Sequence, residues 1–160
     1  MINVAQWAGM KVGSGHEHDW WTHYMSDAQS AYEELYVYTM GRGNFILQHV
    51  VDAQQAQTAT QVNKPMGIVF SLVGLYLHVE KGFTGVEVQK AHQKLARQKQ
   101  QWPTVQLPQS RGSVTAMDVM AAPAGTERDA AIDRWCETVW KAFSDSRDVI
   151  VRVVADNVIA

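Results

Sequence analysis

Apolar side chains recur at α-helical spacing between residues 130 and 143, and charged side chains occupy the positions between them. The apolar positions are Ala130, Ile132, Trp135, Cys136, Val139, Trp140 and Phe143. Such a stripe is typical of an amphipathic helix that buries one face in a protein core. Thr126 has the side chain of an N-cap. The pattern therefore predicts a helix that begins after Thr126 and continues to Phe143.

The same period, together with residues that begin and end helices, predicts further helices along the chain. They cover residues 27–40, 44–60, 65–82, 84–102, 115–122 and 144–158; the β-branched residues of the last segment also suit a strand. Ser26 and Asn44 are the expected N-caps of the first two of these helices, and Thr84 with Glu87 predicts a capping box at the start of the segment 84–102. No segment alternates with period two for long enough to require a sheet. We predict an all-α fold, a compact bundle of about four main helices plus one or two shorter ones.

Chain length predicts one domain, because 160 residues are enough for a single core and few for two. Residues 1–25 contain glycines among tryptophans and histidines and show no sustained period, so they predict an irregular N-terminal arm. His16, His18 and His23 in this arm form a small cluster that would bind metal only weakly.

Composition excludes several functional classes. The net charge of -2 lacks the basic excess of a general nucleic-acid binder. The most apolar stretch, residues 66–79, is shorter than the ~20 residues that cross a bilayer, so it predicts a buried helix and no membrane association. The absence of a secretory pattern in residues 1–15 predicts a cytoplasmic protein. A single cysteine, Cys136, excludes an internal disulfide and a zinc site built from several thiolates.

Three small residues, Gly67, Ser71 and Gly74, occupy neighbouring faces of the predicted third helix. Small side chains allow the backbone of another helix to approach closely. Close helix packing is the simple interpretation of this group, and a ligand role is the alternative.

His49 and Asp52 are three residues apart on the predicted second helix, so their side chains project from one face. A histidine and a carboxylate at this spacing can chelate a divalent metal, act as a general base oriented by the carboxylate, or hydrogen-bond within the core. The spacing alone leaves all three interpretations open.

His92 lies on the apolar stripe of the predicted fourth helix, between Val88 and Leu95, where an imidazole needs a hydrogen-bond partner. If the second and fourth helices are neighbours, His49, Asp52 and His92 form a metal site of two histidines and one carboxylate. Their side chains would then lie within about 5 Å of one another. The alternative is a core histidine that is bonded to a glutamine or to a backbone carbonyl.

Glu80 is a carboxylate in the last turn of the predicted third helix, where the helix dipole disfavours negative charge. A salt bridge would compensate for this placement. Arg111 is the partner that the sequence suggests.

The chain also resembles an uncharacterised, mainly bacterial family classed as a domain of unknown function. The resemblance rests on His-x-x-Asp at 49–52, Phe-Ser-Leu-Val-Gly-Leu-Tyr-Leu at 70–77, Val-Glu-Lys-Gly at 79–82, Ala-His at 91–92, Trp-Pro at 102–103 and Arg-Gly at 111–112. It covers roughly residues 27–143. It implies no reaction, but it directs attention to His49, Asp52, Gln57 and His92.

Two functional hypotheses follow. The first is a pocket between the second, third and fourth helices that binds a divalent metal or a small molecule through His49, Asp52 and His92. The second is a non-catalytic interaction module, in which the aromatic arm and the tryptophan-rich helix 126–143 form a homodimer or a partner surface. Enzymatic activity is compatible with the first hypothesis, and the sequence assigns no catalytic residue.

Overall fold

The computed structural model describes residues 17–159 and the side chains of residues 23–159. Seven α-helices and two short 3-10 turns follow one another along this range, and no β-strand occurs within it. The helices are α1 (Glu17–Met40), α2 (Leu47–Thr58), α3 (Pro65–Lys81), α4 (Gly85–Ala96), α5 (Ala116–Ala121), α6 (Thr126–Ala142) and α7 (Arg147–Asn157). The prediction of an all-α fold is confirmed, and the last segment is a helix.

Helix α1 begins at Glu17, earlier than predicted, so the expectation of irregular structure is wrong for residues 17–25. The glycines that suggested an irregular arm all precede Glu17, and neither glycine nor proline interrupts the chain from there to Met40. Ser26 therefore lies inside the helix and does not cap it. Residues 1–16 of the predicted arm lie outside the described residues.

Helix α2 also begins differently from the prediction, which had Asn44 as its N-cap. Asn44 and Phe45 have φ values of 57° and 53°, in the left-handed region, and belong to a 3-10 turn. This turn reverses the chain before the helix, and α2 starts at Leu47 without a side-chain cap. Helix α4 ends at Ala96, short of the predicted Trp102.

Helix α3 is the central element of the bundle. It packs against α2, α4, α6 and α7, and Val69, Leu72, Val73 and Leu77 on its surface are fully buried. The apolar stretch 66–79 is therefore a core helix, as predicted. Among the residues that the structure describes, no helix combines the length and the apolar character that a membrane span requires.

The ends of α3 and α4 are set by local sequence signals. Gly82 adopts φ 70°, a left-handed conformation that suits glycine, and its N–H donates to the carbonyl of His78 at 3.1 Å. Thr84 and Glu87 form the predicted capping box, in which the Thr84 N–H donates to the Glu87 carboxylate at 2.8 Å. The short connection between the two helices places the carbonyl of Phe83 beside the last turn of α3.

Two tryptophans fix α6 against α2 and α3. The indole N–H of Trp135 donates to Oε1 of Gln57 at 2.9 Å, and that of Trp140 donates to Oε1 of Glu80 at 2.8 Å. Both side chains are buried. The apolar stripe of α6 therefore packs inside this chain and does not form an exposed partner surface.

The salt bridge expected for Glu80 exists, but its partner is Arg147 at the start of α7. The guanidinium donates to both carboxylate oxygens, at 2.8 and 2.6 Å. Arg111 instead donates to the carbonyls of Gln57 and Ala59 at the end of α2. It thereby satisfies carbonyl groups that a helix C-terminus leaves without intrahelical partners.

Candidate functional site

Helices α2 and α3 run antiparallel and bring polar residues together at successive turns. Ser71 of α3 donates to Oε1 of Gln55 at 2.9 Å. One turn further along, the carboxyl group of Asp52 lies directly over the backbone of Gly74. The prediction of close helix packing is therefore confirmed at Gly74, whereas a Cβ on Gly67 would meet nothing within 4 Å.

The next pair along this interface consists of two stacked imidazole rings. The rings of His49 and His78 have centroids 3.6 Å apart and are inclined by 20°. Nε2 of His78 lies 3.0 Å from Oδ1 of Asp133 on α6, and Nδ1 lies 3.2 Å from the carbonyl oxygen of Phe83. Both nitrogens of His78 thus face acceptors, and these two contacts fix the plane of its ring.

His49 is the buried member of the stacked pair, with 4% of its surface exposed. Burial, together with a smaller contribution from the neighbouring imidazole of His78, lowers its pKa to about 3. Its ring is therefore neutral at physiological pH. Nδ1 of this ring is buried and has no hydrogen-bond partner among the described residues.

Asp52 is also buried, with 2% of its surface exposed. Its Oδ1 accepts a hydrogen bond from the amide of Gln48 at 3.1 Å, whereas Oδ2 has no partner in the described part of the chain. Burial raises the pKa of this carboxyl group well above its ordinary value.

The buried thiol of Cys136 is close to this part of α2. It donates to the carbonyl of His49 at 3.6 Å, and burial raises the pKa of this thiol as well. Cys136 is therefore not an activated nucleophile.

A cavity of about 400 Å³ opens beside the stacked histidines. Its walls come from the segment before α2, from α2 and α3, from the connection between α3 and α4, and from α6. The lining residues are Arg42, Gly43, Asn44, Ile46, His49, His78, Gly82, Phe83, Thr84, Asp129 and Asp133. We refer to this space as the histidine cavity.

Two pairs, each of a nitrogen-bearing side chain and a carboxylate, line the histidine cavity. The guanidinium of Arg42 pairs with Asp129, whose other oxygen accepts a hydrogen bond from the hydroxyl of Tyr38 at 2.9 Å. The second pair consists of His78 and Asp133. Arg42 and His78 therefore each have a carboxylate beside them.

His92 lies elsewhere in the bundle. Its Nε2 is 2.9 Å from the carbonyl oxygen of Phe70, and its ring packs against the phenyl ring of that residue at 5.4 Å. Phe70 and His78 are eight residues apart on α3, which corresponds to about 12 Å along the helix axis. His92 therefore has the backbone partner that was the alternative to metal binding.

The predicted set of His49, Asp52 and His92 is consequently not assembled as one metal site. Within residues 17–159, no group of three or more histidine, cysteine, aspartate or glutamate side chains is arranged to hold a metal ion. His49 and Asp52 do lie on one face of α2, as their spacing predicted. Of the predicted histidine cluster near the N-terminus, His16 and the side chain of His18 lie outside the described part of the structure, and the exposed His23 on α1 lies 3.6 Å from Asp27.

Sequence reasoning missed the residues that complete the site. His78 is separated from Asp133 by 55 positions, so no local spacing connects them. Gln57, which the resemblance singled out, has a structural role: its amide donates to the carbonyls of Arg111 and Val114. The one available signal for His78 was a histidine in the last turn of an otherwise apolar helix.

Comparison with known proteins gives a family without an assigned activity. No curated protein and no solved structure matches the chain. The model of a family of unknown function, DUF5946, matches residues 25–144. This range includes every residue that lines the histidine cavity. The chain therefore belongs to the DUF5946 family.

Proposed function

We propose that this chain binds a small polar molecule in the histidine cavity. The observation that carries the proposal is the convergence of Arg42, His49, His78, Asp129 and Asp133 on one space. Helices α2, α3 and α6 and the segment before α2 each contribute to this set. A volume of about 400 Å³ lies within the range of small-molecule sites, roughly 300–1,000 Å³.

The charges of the wall favour a ligand that carries both a positive and a negative group. A purely anionic ligand that paired with Arg42 would compete with Asp129, and the displaced carboxylate would lose its partner. A zwitterion replaces both members of a pair, because its anionic group meets the guanidinium and its cationic group meets a carboxylate. A free amino acid has this chemistry and a suitable size.

A divalent metal is the competing ligand for the same region. The lone pairs of an imidazole lie in the plane of its ring. The planes of His49 and His78 are stacked 3.6 Å apart and nearly parallel, so their lone pairs do not converge on one ion. This geometry supports an organic ligand, and metal binding through His49, Asp52 and His92 would require their side chains to rearrange.

The test follows the ring signals of the histidines by NMR. We expect a mixture of the standard amino acids to shift the signals of His49 and His78, whereas acetate alone and methylammonium alone do not. Arg42→Ala removes a charge at the rim and should abolish the shift; Arg97→Ala, a matched change at the exposed end of α4, should preserve it. The proposal fails if no probe shifts these signals, and a shift with zinc, iron or manganese alone would support metal binding.

Association of two copies of the chain is the second candidate function. One observation favours it: Val37 and Met40, one turn apart on α1, are 68% and 66% exposed. The tryptophans of α6 do not contribute, because they are buried. Light scattering of the full chain distinguishes a monomer from a dimer, and Val37→Glu should dissociate a dimer that uses this face.

A further inference from the structure

Two buried side-chain atoms lack partners in the described part of the chain, and they belong to the same helix. They are Nδ1 of His49 and Oδ2 of Asp52. The two residues are three positions apart on α2, a spacing that places their side chains on one face as neighbours. The two side chains form no direct hydrogen bond or ion pair with each other. Buried polar atoms are almost always hydrogen-bonded in proteins, to protein or to ordered water, so two orphans in adjacent positions suggest one water that bridges them.

The surroundings of Asp52 favour a neutral carboxylic acid. Its hydrogen-bond donor is the uncharged amide of Gln48, and none of the salt bridges among the described residues includes it. Its other oxygen lies against the backbone of Gly74 in the helix interface. A buried carboxylate without a cation is strongly disfavoured, so the group retains its proton. That proton requires an acceptor.

His49 can supply the acceptor. A neutral imidazole has one N–H donor and one nitrogen that accepts. The ring of His49 is buried against that of His78, and none of the ion pairs among the described residues includes it, so the ring is neutral. An acid that carries a proton and a ring that has a free lone pair are complementary.

We propose that the Asp52 carboxylic acid donates its hydrogen to one bound water, which in turn donates to Nδ1 of His49 and holds the ring in the tautomer with hydrogen on Nε2. Asp52 is then a positioning residue that acts through His49. Gly74 takes part because only a residue without a Cβ leaves space for the acid.

The tautomer determines whether Nε2 of His49 is a hydrogen-bond donor or an acceptor towards the histidine cavity. With Nδ1 occupied, the ring is restricted to a donor at Nε2, which suits the anionic group of a ligand. This consequence rests on the proposed binding function. The tautomer itself does not, because it is a property of the chain without ligand.

The experiment uses the full chain labelled with ¹⁵N in its histidine rings and without added ligand. The ¹⁵N chemical shifts distinguish a protonated ring nitrogen from an unprotonated one, and we expect His49 to show hydrogen on Nε2 alone. Asp52→Asn retains a donor at the same place and should preserve this tautomer. Asp52→Ala removes the donor, and a mixture of tautomers should appear for His49 but not for His92.

Several outcomes would overturn the proposal. One is a wild-type His49 with hydrogen on Nδ1, and another is an unchanged tautomer in a folded Asp52→Ala variant, which would mean that the acid donates to a backbone carbonyl instead. If Asp52→Ala does not fold, the ¹³C chemical shift of the Asp52 carboxyl group in the wild type tests the proposal. A shift typical of an ionised carboxylate contradicts it. Failure of amino acids to bind would leave these shifts unchanged, so the two proposals fail separately.

Discussion

The carboxyl group of Asp52 occupies the space that a side chain on Gly74 would need. A Cβ atom at position 74 would lie 1.9 Å from Oδ2 and 2.5 Å from the carboxyl carbon of Asp52. Helices α2 and α3 therefore approach each other closely only because one residue lacks a side chain. The stacked histidines lie one turn along the same interface, so their placement depends on this contact.

Gly74→Ala should destabilise the protein for that reason. The added methyl group must displace Asp52 or separate the helices, and overpacking of this kind costs about 1–3 kcal/mol. The measurement is the free energy of unfolding from urea denaturation. Gly67→Ala is the control on the same helix, where a Cβ meets nothing within 4 Å; it should be neutral or stabilising, since alanine favours helices. Equal losses in both variants would contradict the contact described.

His49 makes stability depend on pH. Its pKa is about 3 in the folded chain against 6.5 ordinarily, so between these values the unfolded chain binds a proton that the folded chain does not. The free energy of unfolding then falls as pH decreases through this window. Above the window, His49 causes no further change in stability with pH. His49→Phe keeps a ring for stacking and cannot titrate. We expect a shallower loss of stability between about pH 7 and pH 4.5 in this variant.

The control for this pH dependence is His23→Phe, a change at an exposed histidine of α1. Its stability should decline in parallel with that of the wild type. A decline in His49→Phe as steep as in the wild type would show that His49 does not remain neutral when the chain is folded.

Glu80 also makes the free energy of unfolding fall as the pH decreases, in a more acidic range than His49. Hydrogen bonds from Arg147 hold the pKa of this carboxyl below its ordinary value of 4.5. Its contribution is therefore present above pH 4.5 and is lost as pH falls through the lowered pKa. Glu80→Gln should be less stable than the wild type near pH 7, and the difference should shrink as the pH falls below 4.5. Glu33→Gln, at an exposed carboxylate of α1, should show little effect at either pH.

Trp135 should be among the most costly side chains to remove. It is fully buried, and its indole N–H is the donor to Gln57. Trp135→Ala should lower the free energy of unfolding by roughly 3–5 kcal/mol, a large part of the 5–15 kcal/mol typical of a domain. Trp102→Ala removes the same atoms from a partly buried position beside Phe70 and should cost much less. Similar unfolding midpoints in the two variants would contradict this account.

The amino-acid sequence by itself determined the local features of this protein. Helical periodicity predicted the all-α fold, glycine and proline marked several helix ends, and the capping box at Thr84 follows from two residues three positions apart. The spacing of His49 and Asp52 placed them on one face of α2. These features depend on interactions within about one turn of a helix, which neighbouring residues specify.

Only the tertiary structure decided which residues share a site. Packing of α3 against α6 joins His78 to Asp133, and packing of α3 against α4 gives His92 a partner about 12 Å along α3 from that pair. Glu80 likewise pairs with Arg147 and not with Arg111. Such contacts depend on how helices rotate and slide against each other. The shapes of many side chains, including the missing Cβ of Gly74, determine that packing together.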